Sequence, residues 1–314
     1  MNFNSISSTK NQKIIYILVA ILCCLPFISS PIALILGFLV AQFFGNPYET
    51  TSQKLSSQLL KIAVVGLGFG MNVFSAINAG KEGLIFTIIS ISTLLLLGFI
   101  LTKFLNIDKI TGYLISAGTA ICGGSAIAAI APITKASANQ LSVSMAVIFT
   151  LNSVALLIFP PLGHWLQLSQ HEFGLWCAIA IHDTSSVVGA ASKFGQEALQ
   201  IATTVKLARA LWIIPLSFLT LFLFKSTTSK ISIPWFIGLF LIAICLNTYI
   251  PFIHQFSDLI VHFSKAALTL TLFLIGSSFS ISKIKSIGLK PLILALILWF
   301  SIGIGSLLLI IGSN

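Results

Sequence analysis

Eleven apolar runs, each long enough to span or nearly span a bilayer, fill almost the whole of this 314-residue chain. They fall at about 14–29, 31–45, 61–79, 84–102, 111–133, 141–162, 173–192, 201–224, 233–250, 259–281 and 290–312. Connections between them are short, and only 46–60 is long enough for an interfacial helix. Charged residues are 8% of the chain, against about 25% in a soluble domain. The expected fold is therefore an all-α polytopic membrane protein, one integral membrane domain with no soluble part. Residues 1–29 read as an N-terminal tail and extra helix, 30–162 as a first repeat-containing half and 163–314 as a second half.

The net charge of +10 comes from basic residues scattered singly between apolar runs. Nucleic-acid binding needs a clustered basic face and is excluded on that ground. Cys23, Cys24, Cys122, Cys177 and Cys245 lie in apolar segments without CxxC spacing; they read as small buried hydrophobes, with neither a disulfide framework nor a metal site indicated. Lys10 and Lys13 before the first run imitate a secretory signal, but no A-x-A site follows and Leu22 is too large for lipoprotein processing at Cys23. A retained first helix is expected.

The chain repeats itself. Gly37 and Asn46 are nine residues apart, as are Gly238 and Asn247; Gly68 and Gly80 are twelve apart, as are Gly276 and Gly288. Segments two to four thus pair with nine to eleven, and the offset of seven segments from one copy to the other, an odd number, makes them inverted if all the intervening segments cross. If all segments cross, Lys10, Lys13, Lys54, Lys61, Lys103, Lys109, Lys225, Lys230, Lys283, Lys285 and Lys290 share the N-terminal side. The positive-inside rule then makes the N-terminus cytoplasmic. Segments five and seven would point the same way in that arrangement. They oppose each other if each dips into the membrane and returns on its own side, the arrangement favoured here over broken crossing helices.

Those two segments carry the most informative motifs. Ala120-Ile121-Cys122-Gly123-Gly124-Ser125 and Ala180-Ile181-His182-Asp183-Thr184-Ser185-Ser186 both open on Ala-Ile and place a serine five residues after that alanine. Each loads glycine or polar groups into apolar sequence. Paired interruptions of this kind point to a transporter's substrate site. Each glycine of Gly123-Gly124 costs a helix about 1 kcal/mol relative to alanine. A helix restarting at Ser125 would offer free N–H groups and a positive dipole end to an anion, with Thr119, Cys122 and Ser125 beside it. Close helix packing by small residues is the structural alternative. Asp183 is the one acidic residue, of seven in the chain, set clearly inside an apolar run. With His182 it is the candidate carrier of a coupling ion; the structural alternative is an N-cap accepting from Ser185 or Ser186. Thr184, Ser185 and Ser186 complete the second half of the candidate site.

Lys206 and Arg209, the chain's one arginine, share a helix face. Arg209 suits the oxygens of a sulfate, sulfonate or carboxylate, and Lys206 reads as an anchor that snorkels to the headgroups. Lys61 reads the same way, while Lys265 is placed to pair with Asp258 or Asp183. Asn72, Asn139 and Asn152 are further polar candidates, of the kind that bonds helix to helix.

The run G-T-A-I-C-G-G-S-A-I-A-A-I-A-P at Gly118–Pro132, followed by I-H-D-T-S-S-V-V-G-A at Ile181–Ala190, resembles the YeiH family of sulfate exporters over nearly the full chain. The resemblance implies a bacterial inner-membrane protein of the superfamily that includes cation/proton antiporters and bile-acid-type symporters, with inverted repeats and interrupted helices. The leading expectation is a secondary active transporter of a small anion such as sulfate or a sulfonate. Its expected partners are that anion, a coupling proton or sodium ion and the lipid bilayer, with a homodimer as a candidate assembly. No cofactor is expected and nothing resembles a P-loop. The alternatives are a cation/proton antiporter on the same scaffold, a channel, and an intramembrane serine hydrolase using Ser125 with His182.

Overall fold

The structure is a computed structural model and describes residues 9–25, 28–224, 235–278 and 288–312. Lys225, Lys230, Lys283 and Lys285, used above for orientation, lie outside those residues, as does the tail 1–8. Every regular element among the described residues is an α-helix. In chain order they are α1 (Thr9–Leu22), α2 (Ser30–Phe44), α3 (Glu49–Gly68), α4 (Val73–Phe104), α5 (Lys109–Ala120), α6 (Gly124–Thr134), α7 (Ala138–Trp165) and α8 (Gln170–Ala180). There follow α9 (Thr184–Phe194), α10 (Gln196–Ala210), α11 (Ile213–Phe224), α12 (Trp235–Tyr249), α13 (Pro251–His254), α14 (Ser257–Ser277) and α15 (Leu289–Gly312).

Among the described residues five helices are long and apolar enough to cross a membrane: 86–104 within α4, α7, the nearly continuous α10–α11, α14 and α15. A sixth span results if α3 and the start of α4 count together, although they bend by 113°. The remaining apolar runs appear as shorter or interrupted helices. The run at 61–79 holds a break that the sequence reading did not anticipate, between Gly68 and Val73. Nor is 46–60 a separate interfacial helix: Glu49 onward belongs to α3, continuous with its apolar part. Phe99, Phe222, Ile304 and Leu308 are among the many large apolar side chains left exposed, which suits a surface covered by lipid.

The helices form two compact units. Neither follows the division at 162/163; each draws on both halves of the sequence. The first contains α1–α3 and α12–α14. Here α14 packs on α2 and α3, and α12 packs on α3. At the α2–α14 crossing a Cβ on Gly37 would collide with the Phe273 carbonyl oxygen, and one on Gly276 with that of Leu34. At the α3–α12 crossing a Cβ on Gly68 would lie 2.9 Å from the Phe240 carbonyl oxygen. Two asparagines make corresponding bonds to helix ends. Asn46, after α2, donates to Ser277 O at the end of α14 (2.9 Å), and Asn247, near the end of α12, donates to Met71 O just beyond α3 (3.1 Å). Thr248 Oγ1 accepts from the Val73 N–H (3.0 Å), so the 68–73 break leaves neither group unpaired. The Tyr16 hydroxyl ties α1 to this core, 2.8 Å from both Ser52 Oγ and Ser277 Oγ.

The second unit holds α4 from Ala76, α5–α11 and α15. Asp108 caps α5, and Ser137–Gln140 and Ser169–Glu172 form capping boxes that start α7 and α8. Within the unit α8 packs on α10 and α15, α5 on α7 and α15, α6 on α11, and α9 on α7.

Candidate functional site

At the first interruption α5 stops at Ala120 and the chain turns through Gly123, whose φ is +65°. A side chain is strained there. There is also little room, since a Cβ would sit 3.2 Å from Ile148 Cγ2 and 3.5 Å from Asp183 Cα. The two interruptions therefore meet. The Gly123 N–H reaches back to Gly118 O at 2.8 Å, and α6 restarts at Gly124 with no side-chain cap from Gly123, although the Cys122 thiol accepts from the Ala126 N–H in its first turn. A Cβ on Gly118 would touch Ile127 Cδ1 at 2.9 Å, although a continuous helix would separate residues nine apart by about 13 Å along its axis. Thus α5 and α6 fold back beside each other.

The second interruption does the same with different residues. After α8, Ile181 and Asp183 are extended (φ −93° and −95°). Cys177 Sγ donates to Val187 O at 3.5 Å, so α8 and α9 also lie alongside one another. Asp183 is the N-cap of α9, its carboxylate accepting from the Ser185 N–H (3.0 Å) and from the Ser185 hydroxyl. Its own N–H donates to Asn152 Oδ1 of α7 (3.1 Å). Both structural roles weighed for Asp183 and Asn152, helix cap and helix-to-helix bond, are thus present.

Two cations from α10 enter this junction. Lys206 Nζ donates to Ala178 O (3.3 Å) and Ile181 O (2.6 Å); Arg209 donates through Nε to Ala120 O (2.7 Å) and through Nη1 to Ile179 O (3.0 Å). Both side chains are 0% exposed. Lys206 is therefore no headgroup anchor. The last carbonyls of a helix have no intrahelical donor and form its negative dipole end, so cations stabilise the ends of α5 and α8. Trp299 Nε1 of α15 takes the remaining Ala180 O (3.1 Å).

Several buried polar atoms at the junction have no partner: Thr119 Oγ1, Asn152 Nδ2, both ring nitrogens of His182, and Arg209 Nη2. Cys122, Gly123 and Gly124 are buried beside them, and Thr184, Ser185 and Ser186 are buried in the first turn of α9. Ser125 differs, being exposed on one face of α6 with Ala128 and Pro132. Since neither nitrogen of His182 is hydrogen-bonded, the structure does not assemble a Ser125–His182 dyad. Asn72 and Asn139 are exposed and outside this constellation. Lys206 and Trp299 were missed as site elements; the three-residue spacing to Arg209 was the available signal for Lys206, and Trp299 had none.

Residues 14–295 match the family model described as "Conserved hypothetical protein 698". This chain belongs to that family. The YeiH resemblance is to the same family. Full-length relatives include a UPF0324 membrane protein of Shewanella oneidensis, 49% identical with 98% of both chains covered. Another, from Bacteroides thetaiotaomicron, is 49% identical over 96% of this chain and 97% of its own. A third, from Geobacter sulfurreducens, is 45% identical over 88% of this chain and 89% of its own. No solved structure matches the chain. The relatives' names and the apolar helices together make it a membrane protein.

Proposed function

We propose that this protein is a secondary active transporter exporting a small oxyanion, such as sulfate or a sulfonate, across the bacterial inner membrane, with its N-terminus cytoplasmic. The observation that carries the reading is a set of buried polar groups without partners, all near the point where the two interrupted helices meet. Asn152 Nδ2 and Arg209 Nη2 are donors, and the Thr119 hydroxyl can donate. Leaving a buried donor unsatisfied costs about 1–3 kcal/mol. A ligand rich in acceptor oxygens would satisfy several at once. The N-terminus of α6 favours negative charge at the same place.

Eleven segments in two inverted repeats are part of this proposal. The matching bonds of Asn46 to the end of α14 and of Asn247 to the chain just beyond α3 support it, because a two-fold relation produces such a pair; the close approaches at Gly37, Gly276 and Gly68 are not matched at Gly238, which has open space around it. Folding back of both interrupted elements supports two re-entrant hairpins entering from opposite sides. Alternating access would then move one bundle about this site, with Asp183 and His182 carrying the coupling ion.

The test is a thermal-shift screen of the detergent-purified protein against sulfate, sulfite, taurine and dicarboxylates, followed by flux of the stabilising anion in proteoliposomes. A binder of the folded state raises apparent stability as RT ln(1 + [L]/Kd). Stabilisation and counter-transport by one anion are expected, with Asp183→Asn remaining folded and losing the coupling-ion dependence of flux. If no anion binds and a cation or pH gradient alone is exchanged, the scaffold is a cation/proton antiporter instead.

A further inference from the structure

In transporters with interrupted helices, unwound carbonyls and half-helix C-terminal ends are where a sodium ion is coordinated. Here five of the oxygens at these two ends are already engaged. Ala178 O and Ile181 O accept from Lys206, and Ala120 O and Ile179 O from Arg209, at 2.6–3.3 Å. Ala180 O accepts from Trp299. The two cationic heads are fully buried and come from one turn of a single helix, so they cannot diffuse away as an ion does. Asp183 already spends one carboxylate oxygen on the N–H and hydroxyl of Ser185. A sodium ion brought within about 4 Å of the Arg209 guanidinium would meet like-charge repulsion worth roughly a thousandfold in affinity at moderate screening.

We propose that Lys206 and Arg209 are built-in cations that hold the coordination positions of a coupling sodium ion, so that the protein folds and works without sodium. The consequence for coupling rests on the transport function proposed above; the occupation of the carbonyl ends does not.

The experiment is thermal unfolding of the purified wild type with sodium chloride replaced by potassium or choline chloride at fixed ionic strength. The same midpoint is expected in all three salts. A sodium site filled at about a hundred times its Kd would raise the midpoint by roughly 4 °C, and any reproducible sodium-specific rise overturns the proposal. Lys206→Ala, which frees the carbonyls of Ala178 and Ile181, is expected to gain a sodium-specific rise that the wild type lacks. A folded Lys206→Ala protein as indifferent to sodium as the wild type would overturn the claim that Nζ stands in a cation position. Should that variant not fold, the wild-type comparison still decides. Anion flux in proteoliposomes is expected to be unchanged by an imposed sodium gradient. Absence of any anion flux would sink the transport function while leaving the salt comparison intact.

Discussion

At the first interruption the chain turns through Gly123, whose positive φ and close neighbours disfavour a side chain, and the following helix α6 begins with no side-chain cap from its N-cap residue and with Ser125 exposed. At the second it turns through extended residues that carry full side chains. Asp183 closes the N-terminus of α9 with its own carboxylate, and residues 184–191 are all buried. One hairpin therefore offers open backbone donors and the other supplies a negative charge satisfied from within. Under the proposed function, anion recognition belongs mainly to the first hairpin and ion coupling to the second. What the hairpins share is the treatment of their leading halves, since the C-terminal ends of α5 and α8 are both stabilised from α10.

The largest expected effect tests that shared element. Arg209→Ala removes two charge-assisted bonds of about 1.5–3 kcal/mol each, one to each hairpin, and so destabilises the protein by roughly 3–6 kcal/mol. Arg209→Lys keeps the charge but loses the planar fork and is expected to recover only part of this loss. Thermal unfolding gives the size, and amide hydrogen exchange gives the location. Exchange should quicken in both α5–α6 and α8–α9, and quickening confined to one hairpin would break the comparison.

The next effect separates the hairpins. Gly123→Ala forces a Cβ into a conformation that costs about 1–3 kcal/mol, beside Ile148 and Asp183. Asp183→Asn keeps an effective N-cap, since Asn and Asp cap about equally well, and should change stability by less than about 1 kcal/mol. Unfolding midpoints of the two variants measured side by side check the contrast. Equal losses would mean that the second turn is held by the charge of Asp183 more than by its cap.

Helicity, membrane residence and both interruptions were legible in the sequence, because Gly-Gly and His-Asp are costly inside apolar helices and advertise themselves. The break at 68–73 was not. Its flanks stay apolar, and its stabilising partners Asn247 and Thr248 lie far along the chain. Gly68 was read for its spacing to Gly80 when its local role is close approach to α12. The burial of Lys206 was equally hidden. A lysine near the end of an apolar run looks the same whether its head meets lipid phosphates or backbone carbonyls, and only the fold brings Ala178 and Ile181 to it. Arg209 was placed at the site by its chemistry alone, yet the groups it binds in this structure are carbonyls, with Nη2 left over.

The smallest expected effect lies at the starts of the hairpins, where α5 is capped by a carboxylate and α8 by a serine. Asp108 accepts from the Thr111 N–H (2.9 Å), the Thr111 hydroxyl (3.0 Å) and Gln140 Nε2 (2.7 Å). Partial burial raises the pKa of its carboxyl, but these hydrogen bonds outweigh burial and hold it below the ordinary carboxylate value of 3.8. A carboxyl with a depressed folded-state pKa adds stability that is present above the unfolded value and lost as pH falls through the folded one. Asp108→Asn preserves a cap without the charge. The wild type should therefore exceed this variant in stability at pH 7 by only a few tenths of a kcal/mol, since the site is exposed and screened, and the difference should shrink as the pH is lowered below about 4. Unfolding midpoints of the pair at pH 7 and pH 3.5 check it; a difference that grows on acidification would mean that the charge on Asp108 opposes the cap it makes.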